Sequence, residues 1–382
     1  MTQIASSHNS GARLDFIQAL RGIAALMVVL CHARWFLIGT PSQDMAEWLL
    51  APGGAGVDIF FVISGFVMVY STRRSNGTVQ YATEFFIKRF LKIWLPYAVV
   101  GMIYFCTTRY GTLTTTHDLV WAAKSLAFIP PDATAPFYYG SGLTPVAWSL
   151  NYEFYFYLVL SVSLLFGRGR WLAFSLWMFT FVYLVPVLDR GFFSTLPMSM
   201  ISSESAYLQM MTNPIILEFL AGILVGFLYL SPVKINSVVA SRVLIMAAIG
   251  AGAWAWATHF RNVNSISYYG IFAVLLVATL AIASKTKDIV VPPALIWLGN
   301  ISYSLYLVHV LVNHQLDLIL NSAGLGELTK TWGHVILTTC ASLVVASISH
   351  YALEKVLHDK AKDVLIGKVR MFFRGARTAP AT

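Results

Sequence analysis

Long apolar runs, broken by short polar stretches, dominate the 382-residue chain. A helix needs about 20 apolar residues to cross the hydrocarbon core of a bilayer. Runs of that order lie near 14–37, 55–71, 90–107, 146–166, 171–188, 214–230, 243–259, 267–284, 294–313 and 333–353. The pattern predicts an all-α polytopic membrane protein of about ten transmembrane helices. The second and ninth runs are less apolar than the rest. An even count puts both termini on one side. Of the 26 lysines and arginines, all but Arg34, Arg109, Lys124, Arg190, Arg261 and Lys330 fall on that side. Cytoplasmic segments carry such an excess, so the N and C termini are expected in the cytoplasm. The organisation expected is a short N-terminal tail (1–13), a membrane domain (14–354) and a basic tail (355–382) suited to anionic lipid. Arg21 interrupts the first run and no small-x-small site follows it, so the first helix is expected to stay attached.

Composition removes the soluble alternatives. Apolar residues make up 57% of the chain and charged residues 11%, against about 25% charged in a soluble domain. Mean hydropathy is +0.68. The net charge of +9 comes from basic residues flanking apolar runs, which orientation in the membrane explains without a nucleic-acid partner. Cys31, Cys106 and Cys340 fit no C-x-x-C spacing and read as small apolar residues, with no disulfide framework or metal site expected. The connection from about 108 to 145 carries an amphipathic stretch, Asp118 to Ile129, followed by Pro130-Pro131. It is expected outside, as an interfacial or re-entrant helix roofing a cavity or as a plain surface helix.

Ionisable groups inside the apolar runs carry the chemistry, because each costs about 2.5–3.5 kcal/mol at membrane depth. Arg21 and His32 stand eleven residues apart in the first run. Eleven helical steps close almost three full turns, so both side chains share one face about 16 Å apart along the axis. That spacing suits a long ligand with an anionic end and a reactive end; the plainer alternative is a snorkelling arginine and a terminal histidine. Gly53-Gly54-Ala55-Gly56-Val57-Asp58 opens the second span, where Asp58 could orient the imidazole or simply cap the helix. In Trp148-Ser149-Leu150-Asn151-Tyr152-Glu153, Ser149 and Glu153 share a face, and the aromatic run that follows carries Glu153 into the membrane. Ser302-Tyr303-Ser304-Leu305-Tyr306-Leu307-Val308-His309 brings hydroxyls that can join helices, and a late histidine.

Taken together, these motifs resemble the acyltransferase-3 family of integral-membrane acyltransferases, and most closely its exopolysaccharide acetyltransferase branch. The resemblance runs from about Leu14 to Glu354. Arg21 and His32 match the family's arginine–histidine pair, Gly56 to Phe66 its G-V-D-x-F-F-V-x-S-G-F motif, and Trp148 to Glu153 its W-S-L-x-x-E motif. Arg89 and Lys92, with Pro96, match an R-x-x-R motif, and Ser302 to His309 and Glu354 match the closing elements. Gln18 stands where most members have aspartate, and Lys92 replaces the second arginine, which keeps the charge but loses the bidentate fork.

The resemblance implies acetyl-coenzyme A as donor, drawn from the cytoplasm of a bacterial inner membrane. It implies a hydroxyl of a polysaccharide or lipid-linked sugar as acceptor. Arg89, Lys92 and Lys88 are expected to hold the donor phosphates, with Arg21 along the path of its arm. His32 is expected to act as base or as acylated nucleophile, with Asp58 or Glu153 steadying the imidazolium. Ser149 or Asn151 is expected at the oxyanion, and Ser64, Tyr303 and His309 at the substrate. Some members carry a fused extracytoplasmic domain; with none in this sequence, the membrane domain acts alone or a separate partner helps. The rival from another class is a transporter or flippase for a lipid-linked sugar or small solute, which also needs polar groups at depth, though the halves show no inverted repeat.

Overall fold

The computed structural model describes residues 14–109, 115–260 and 263–378. The tail 1–13 and Arg261 lie outside the described residues. Every regular element described is helical. In chain order they are α1 (Asp15–Ala33), α2 (Gln43–Leu50), α3 (Gly56–Thr72), α4 (Val79–Thr108), α5 (Thr116–Leu126), α6 (Trp148–Leu164), α7 (Arg170–Met178) and α8 (Val185–Arg190). There follow α9 (Ala206–Met211), α10 (Ile216–Leu230), α11 (Val238–Ala257), α12 (Tyr269–Ser284), α13 (Pro293–Ser322), α14 (Trp332–Ser349) and α15 (His358–Thr378). π-helical turns at Phe179–Leu184 and His350–Leu357 join α7 to α8 and α14 to α15.

Among the described residues, seven helical segments are long and apolar enough to cross a bilayer, and α13, bent by 66° near Asn300, makes an eighth. The chain is therefore a multi-pass membrane protein. The runs expected at 146–166 and 267–284 form shorter helices, α6 of 17 residues and α12 of 16. Polar entry residues lower the hydropathy of α6. Helix starts follow local rules: Thr78 Oγ1 accepts from the Tyr81 N–H at 3.2 Å, and Thr115 Oγ1 from the Asp118 N–H at 3.2 Å.

Helices α1, α3, α4, α6, α10 and α13 surround the core, while α11 buries only Ser241, Ala248 and Ala255. Two close crossings set the frame. A Cβ on Gly22 of α1 would lie 2.7 Å from the Gly299 nitrogen of α13, so the two backbones touch there. In membranes such small-residue contacts gain van der Waals packing where the hydrophobic effect between helices is absent. Gly65 of α3 and Gly222 of α10 meet in the same manner, against the Phe219 and Val62 carbonyls. Beside that crossing Phe156 and Phe219 stack with centroids 3.7 Å apart.

The stretch before α6 folds onto α4 and α5. Trp94 Nε1 donates to Leu126 O at 2.8 Å, and Trp121 Nε1 to Gly142 O at 3.1 Å. Phe128, Phe137, Tyr139 and Ser141 all hold positive φ, a backbone that non-glycine residues adopt at a cost. Tyr139 is buried there, which pushes its phenol pKa up, while the Asn213 amide donates to it at 3.2 Å.

The α1–α13 crossing yields a direct test. Gly22→Val should lower the unfolding midpoint of the purified protein, by about 1–3 kcal/mol of stability, through overpacking. Ile23→Val, at a position 38% exposed, should leave the midpoint unchanged. Equal midpoints for the two variants would remove the crossing as a structural constraint.

Candidate active site

A cavity of about 420 Å³ opens among α1, α3, α4, α6 and α13. Each helix contributes polar groups to it: Gln18 and Arg21, Ser64, Arg89 and Lys92, Ser149, Glu153 and Tyr157, and Tyr303 and Tyr306. Glu153 is held by the Tyr157 hydroxyl, one turn along α6, and lies 3.5 Å from Ser64 Oγ. Arg21 reaches only the Gln18 amide oxygen, at 3.5 Å. The Arg89 guanidinium sits 5.6 and 5.7 Å from the Phe85 and Tyr157 ring centroids. Arg21, Arg89 and Lys92 form no ion pair among the described residues, so three cations converge on the cavity with Glu153 as the one carboxylate lining it.

Local backbone chemistry positions this wall. Pro96 cannot donate to the Lys92 carbonyl, which interrupts the α4 ladder. The Tyr303 hydroxyl enters there and donates to Ile93 O at 2.6 Å. The bend in α13 falls just before Ser302–His309, directing that motif into the bundle.

At the far end Tyr306 closes the lining. Its hydroxyl donates to Val146 O at 2.9 Å and lies 2.7 Å from Ser149 Oγ. Its ring centroid is 6.2 Å from that of His309. His309 is fully buried, with Nε2 3.1 Å from His32 Nδ1. Both Nδ1 atoms also face helical carbonyls, Val28 O at 3.0 Å and Leu305 O at 3.1 Å. Protons on both Nδ1 atoms satisfy the whole set: His309 donates to Leu305 O, and His32 donates to Val28 O and His309 Nε2. That tautomer leaves a lone pair on His32 Nε2. The Trp35 ring stands edge-on to His32, with centroids 5.0 Å apart.

The cavity thus brings together Arg21, Ser64, Arg89, Lys92, Ser149, Glu153 and Tyr303, all singled out in the sequence. His32 and His309 pair with one another but lie outside its lining, beyond Tyr306. Nothing from the stretch 115–147 lines it, so the connection expected to roof the cavity packs beside it instead. Asn151 is buried without lining it. Lys88 faces the neighbouring surface and pairs with Glu84 at 3.3 Å. Asp58, expected beside His32, is fully buried against Asn264, whose amide donates to Oδ2 at 2.5 Å, and against Glu218. Glu354 binds Ser304 through Oε1, at 2.6 Å from Oγ and 3.2 Å from the backbone nitrogen, and lies 3.1 Å from His350. The closing motifs therefore clamp α13 to the π-helical turn that follows α14. Sequence reasoning missed Glu218, although a lone acid in the apolar run 214–230 is itself a signal. It also missed the pairing of His309 with His32.

A cavity carrying cations and hydroxyls inside a helical membrane body, with an imidazole pair past one end, is a setting that a membrane group-transfer protein needs. The family model described as Acyltransferase domain matches residues 14–351, and the chain belongs to that family of membrane acyltransferases. It is 31% identical to the exopolysaccharide production protein ExoZ of Rhizobium meliloti over 67% of this chain and 75% of that one. It is 26% identical to nodulation protein 10 of Rhizobium leguminosarum bv. viciae, over 81% and 86% respectively. It is 27% identical to the acyltransferase MdmB of Streptomyces mycarofaciens, over 78% and 79%. No solved structure matches this chain.

The placement of Asp58 is open to test. Asp58→Asn keeps the shape and can still bridge Glu218 and Asn264, so stability should hold within about 1 kcal/mol and acyl transfer within a few-fold. Asp58→Ala should cost about 1–3 kcal/mol in a denaturation assay, by stranding buried polar groups. A collapse of activity in the stably folded Asn variant would return the carboxylate to the imidazole.

Proposed function

We propose that the protein transfers an acetyl group from cytoplasmic acetyl-coenzyme A to a hydroxyl of an exported or cell-surface polysaccharide. It does so as a ten-span protein of the bacterial inner membrane, with both termini inside. The observation that carries this reading is the polarity of one cavity: three unpaired cations at one end, a histidine pair just past the other. A polyanionic head joined by a long arm to a thioester complements that layout. Arg89 and Lys92 hold the donor phosphates by charge-assisted contacts, and Arg21 lies beside the arm. The relative named for exopolysaccharide production supports a surface-glycan acceptor.

His32 is the proposed general base. Its Nε2 lone pair takes the proton of the acceptor hydroxyl as the oxygen attacks the thioester carbonyl. The new C–O bond forms, the tetrahedral intermediate collapses, and the C–S bond breaks. The imidazolium returns its proton to the departing thiolate. His309 acts as a positioning residue, fixing the tautomer of His32 by accepting from Nδ1–H. Ser149, at the end of the cavity, is the proposed donor to the oxyanion once Tyr306 gives up its contact with it. For the thioester to reach Nε2, the Tyr306 ring must swing aside. Glu153 balances the cations, and Asp58 with Glu218 holds α3 against α10.

His32→Ala should lower acetylation of the glycan by about 10²–10⁴-fold while the protein inserts and accumulates normally. The check is mass spectrometry of surface glycans from cells carrying each form; wild-type acetylation in the variant removes His32 from the mechanism. Lys92→Arg should hold or improve the Michaelis constant for acetyl-coenzyme A, since the charge stays and a fork is gained. A large loss of donor affinity there would argue against a phosphate contact. Purified protein that moves solute without consuming acetyl-coenzyme A would favour the transporter reading.

A further inference from the structure

A second cavity, of about 370 Å³, adjoins the first, because Arg89 and Lys92 line both. Its other wall comes from the basic C-terminal helix α15, through His358 and Lys362, facing Lys88 on α4. The helix is fixed in place: Arg370 grips the Glu84 carboxylate through Nε and Nη2, each at 3.1 Å. Glu84 also takes Lys88 at 3.3 Å, so the one carboxylate lining this cavity is already engaged. Lys362 Nζ rests on Asp359 Oδ1 at 2.6 Å, which leaves two of its three donors for a ligand. His358 Nδ1 faces the same oxygen at 3.2 Å. Its Nε2 is buried and has no hydrogen-bond partner among the described residues. A buried, unpartnered imidazole nitrogen beside lysines, on the wall of a cavity, is a group made to meet an anion.

We infer that α15 supplies a binding site for a nucleotide phosphate, and that His358 and Lys362 contact the 3′-phosphate of the coenzyme A donor. This inference rests on the donor assignment above and deepens it. Along coenzyme A the order is thioester, pantetheine arm, diphosphate, then the 3′-phosphorylated adenosine. With the arm in the first cavity, the diphosphate falls at the shared residues Arg89 and Lys92. The adenosine and its 3′-phosphate then occupy the second. At a phosphate His358 donates from Nε2, and Lys362 donates with its free ammonium hydrogens. A phospholipid headgroup offers the same phosphate chemistry from another source, and the test separates the two.

The full-length protein, in phosphatidylcholine nanodiscs, is titrated with coenzyme A and with dephospho-coenzyme A, which lacks only the 3′-phosphate. Wild type should bind coenzyme A at least tenfold more tightly. The double variant His358→Gln, Lys362→Ala should lose that preference, weakening coenzyme A about tenfold and leaving dephospho-coenzyme A within twofold, which also shows it is folded. Lys362→Arg should keep the preference. Equal binding of both nucleotides by wild type overturns the 3′-phosphate assignment while leaving the donor assignment intact; binding of neither overturns the donor assignment itself. A variant that weakens both nucleotides alike marks α15 as structural and overturns the inference. So does an effect of the two substitutions seen only on association with added phosphatidylglycerol.

Discussion

Where α1 crosses α13, Gly22 and Gly299 bring two backbones into contact, and the rest of the site is arranged by that contact. On one side of the crossing Arg21 turns into the cavity beside Tyr303. On the other, His32 meets His309 at 3.1 Å. Larger residues at the crossing would force the two helices apart. The bend of 66° in α13 follows at once, so the packing of one pair of glycines and the course of the late motif are a single feature. Hydroxyls then lock the arrangement: Tyr303 to Ile93 on α4, Tyr306 to Val146 ahead of α6, and Ser304 to Glu354 beyond α14.

Charge supplies the second constraint. Cations cost about 2.5–3.5 kcal/mol each at membrane depth even on a mild scale, and here Arg21, Arg89 and Lys92 share one cavity without ion-pair partners. A fold that only needed stability would pair them with acids or replace them by apolar side chains. The chain has acids at depth, yet Asp58 and Glu218 are spent on each other and Glu354 on Ser304 and His350. The positive balance left in the cavity is what an anionic ligand would neutralise on binding. The same reasoning extends to the adjoining cavity under α15, where the basic residues outnumber the single engaged carboxylate.

The helices were legible in the sequence because lipid imposes a length and a polarity on each span. Motif residues were legible because ionised groups are expensive there, which drew attention to Arg21, Glu153 and the histidines. Contacts between motifs were not, since the eleven-residue spacing places Arg21 and His32 on one helix but says nothing of which neighbour faces each. The cavity therefore takes Arg21 and stops at Tyr306, short of His32. Asp58 was drawn toward His32 in the sequence reading because both fall near the same membrane face; the unremarked Glu218 and the loop residue Asn264 claim it instead. His309, one histidine in a hydroxyl-rich run, gains its meaning only from the α1–α13 crossing. The tail looked like a lipid-facing basic helix, and only its docking through Arg370 onto Glu84 turns His358 and Lys362 toward a cavity.

The proposed donor path runs from the cations at Arg89 and Lys92, along α1, to the free nitrogen of His32. A cryo-electron microscopy structure of the protein with a non-reactive thioether analogue of acetyl-coenzyme A tests it directly. The diphosphate is expected at Arg89 and Lys92, the arm beside Arg21, Tyr306 swung aside, and the acyl end against His32 Nε2. An analogue bound elsewhere, or one lodged in the cavity with its acyl end turned away from an undisturbed Tyr306, would contradict it.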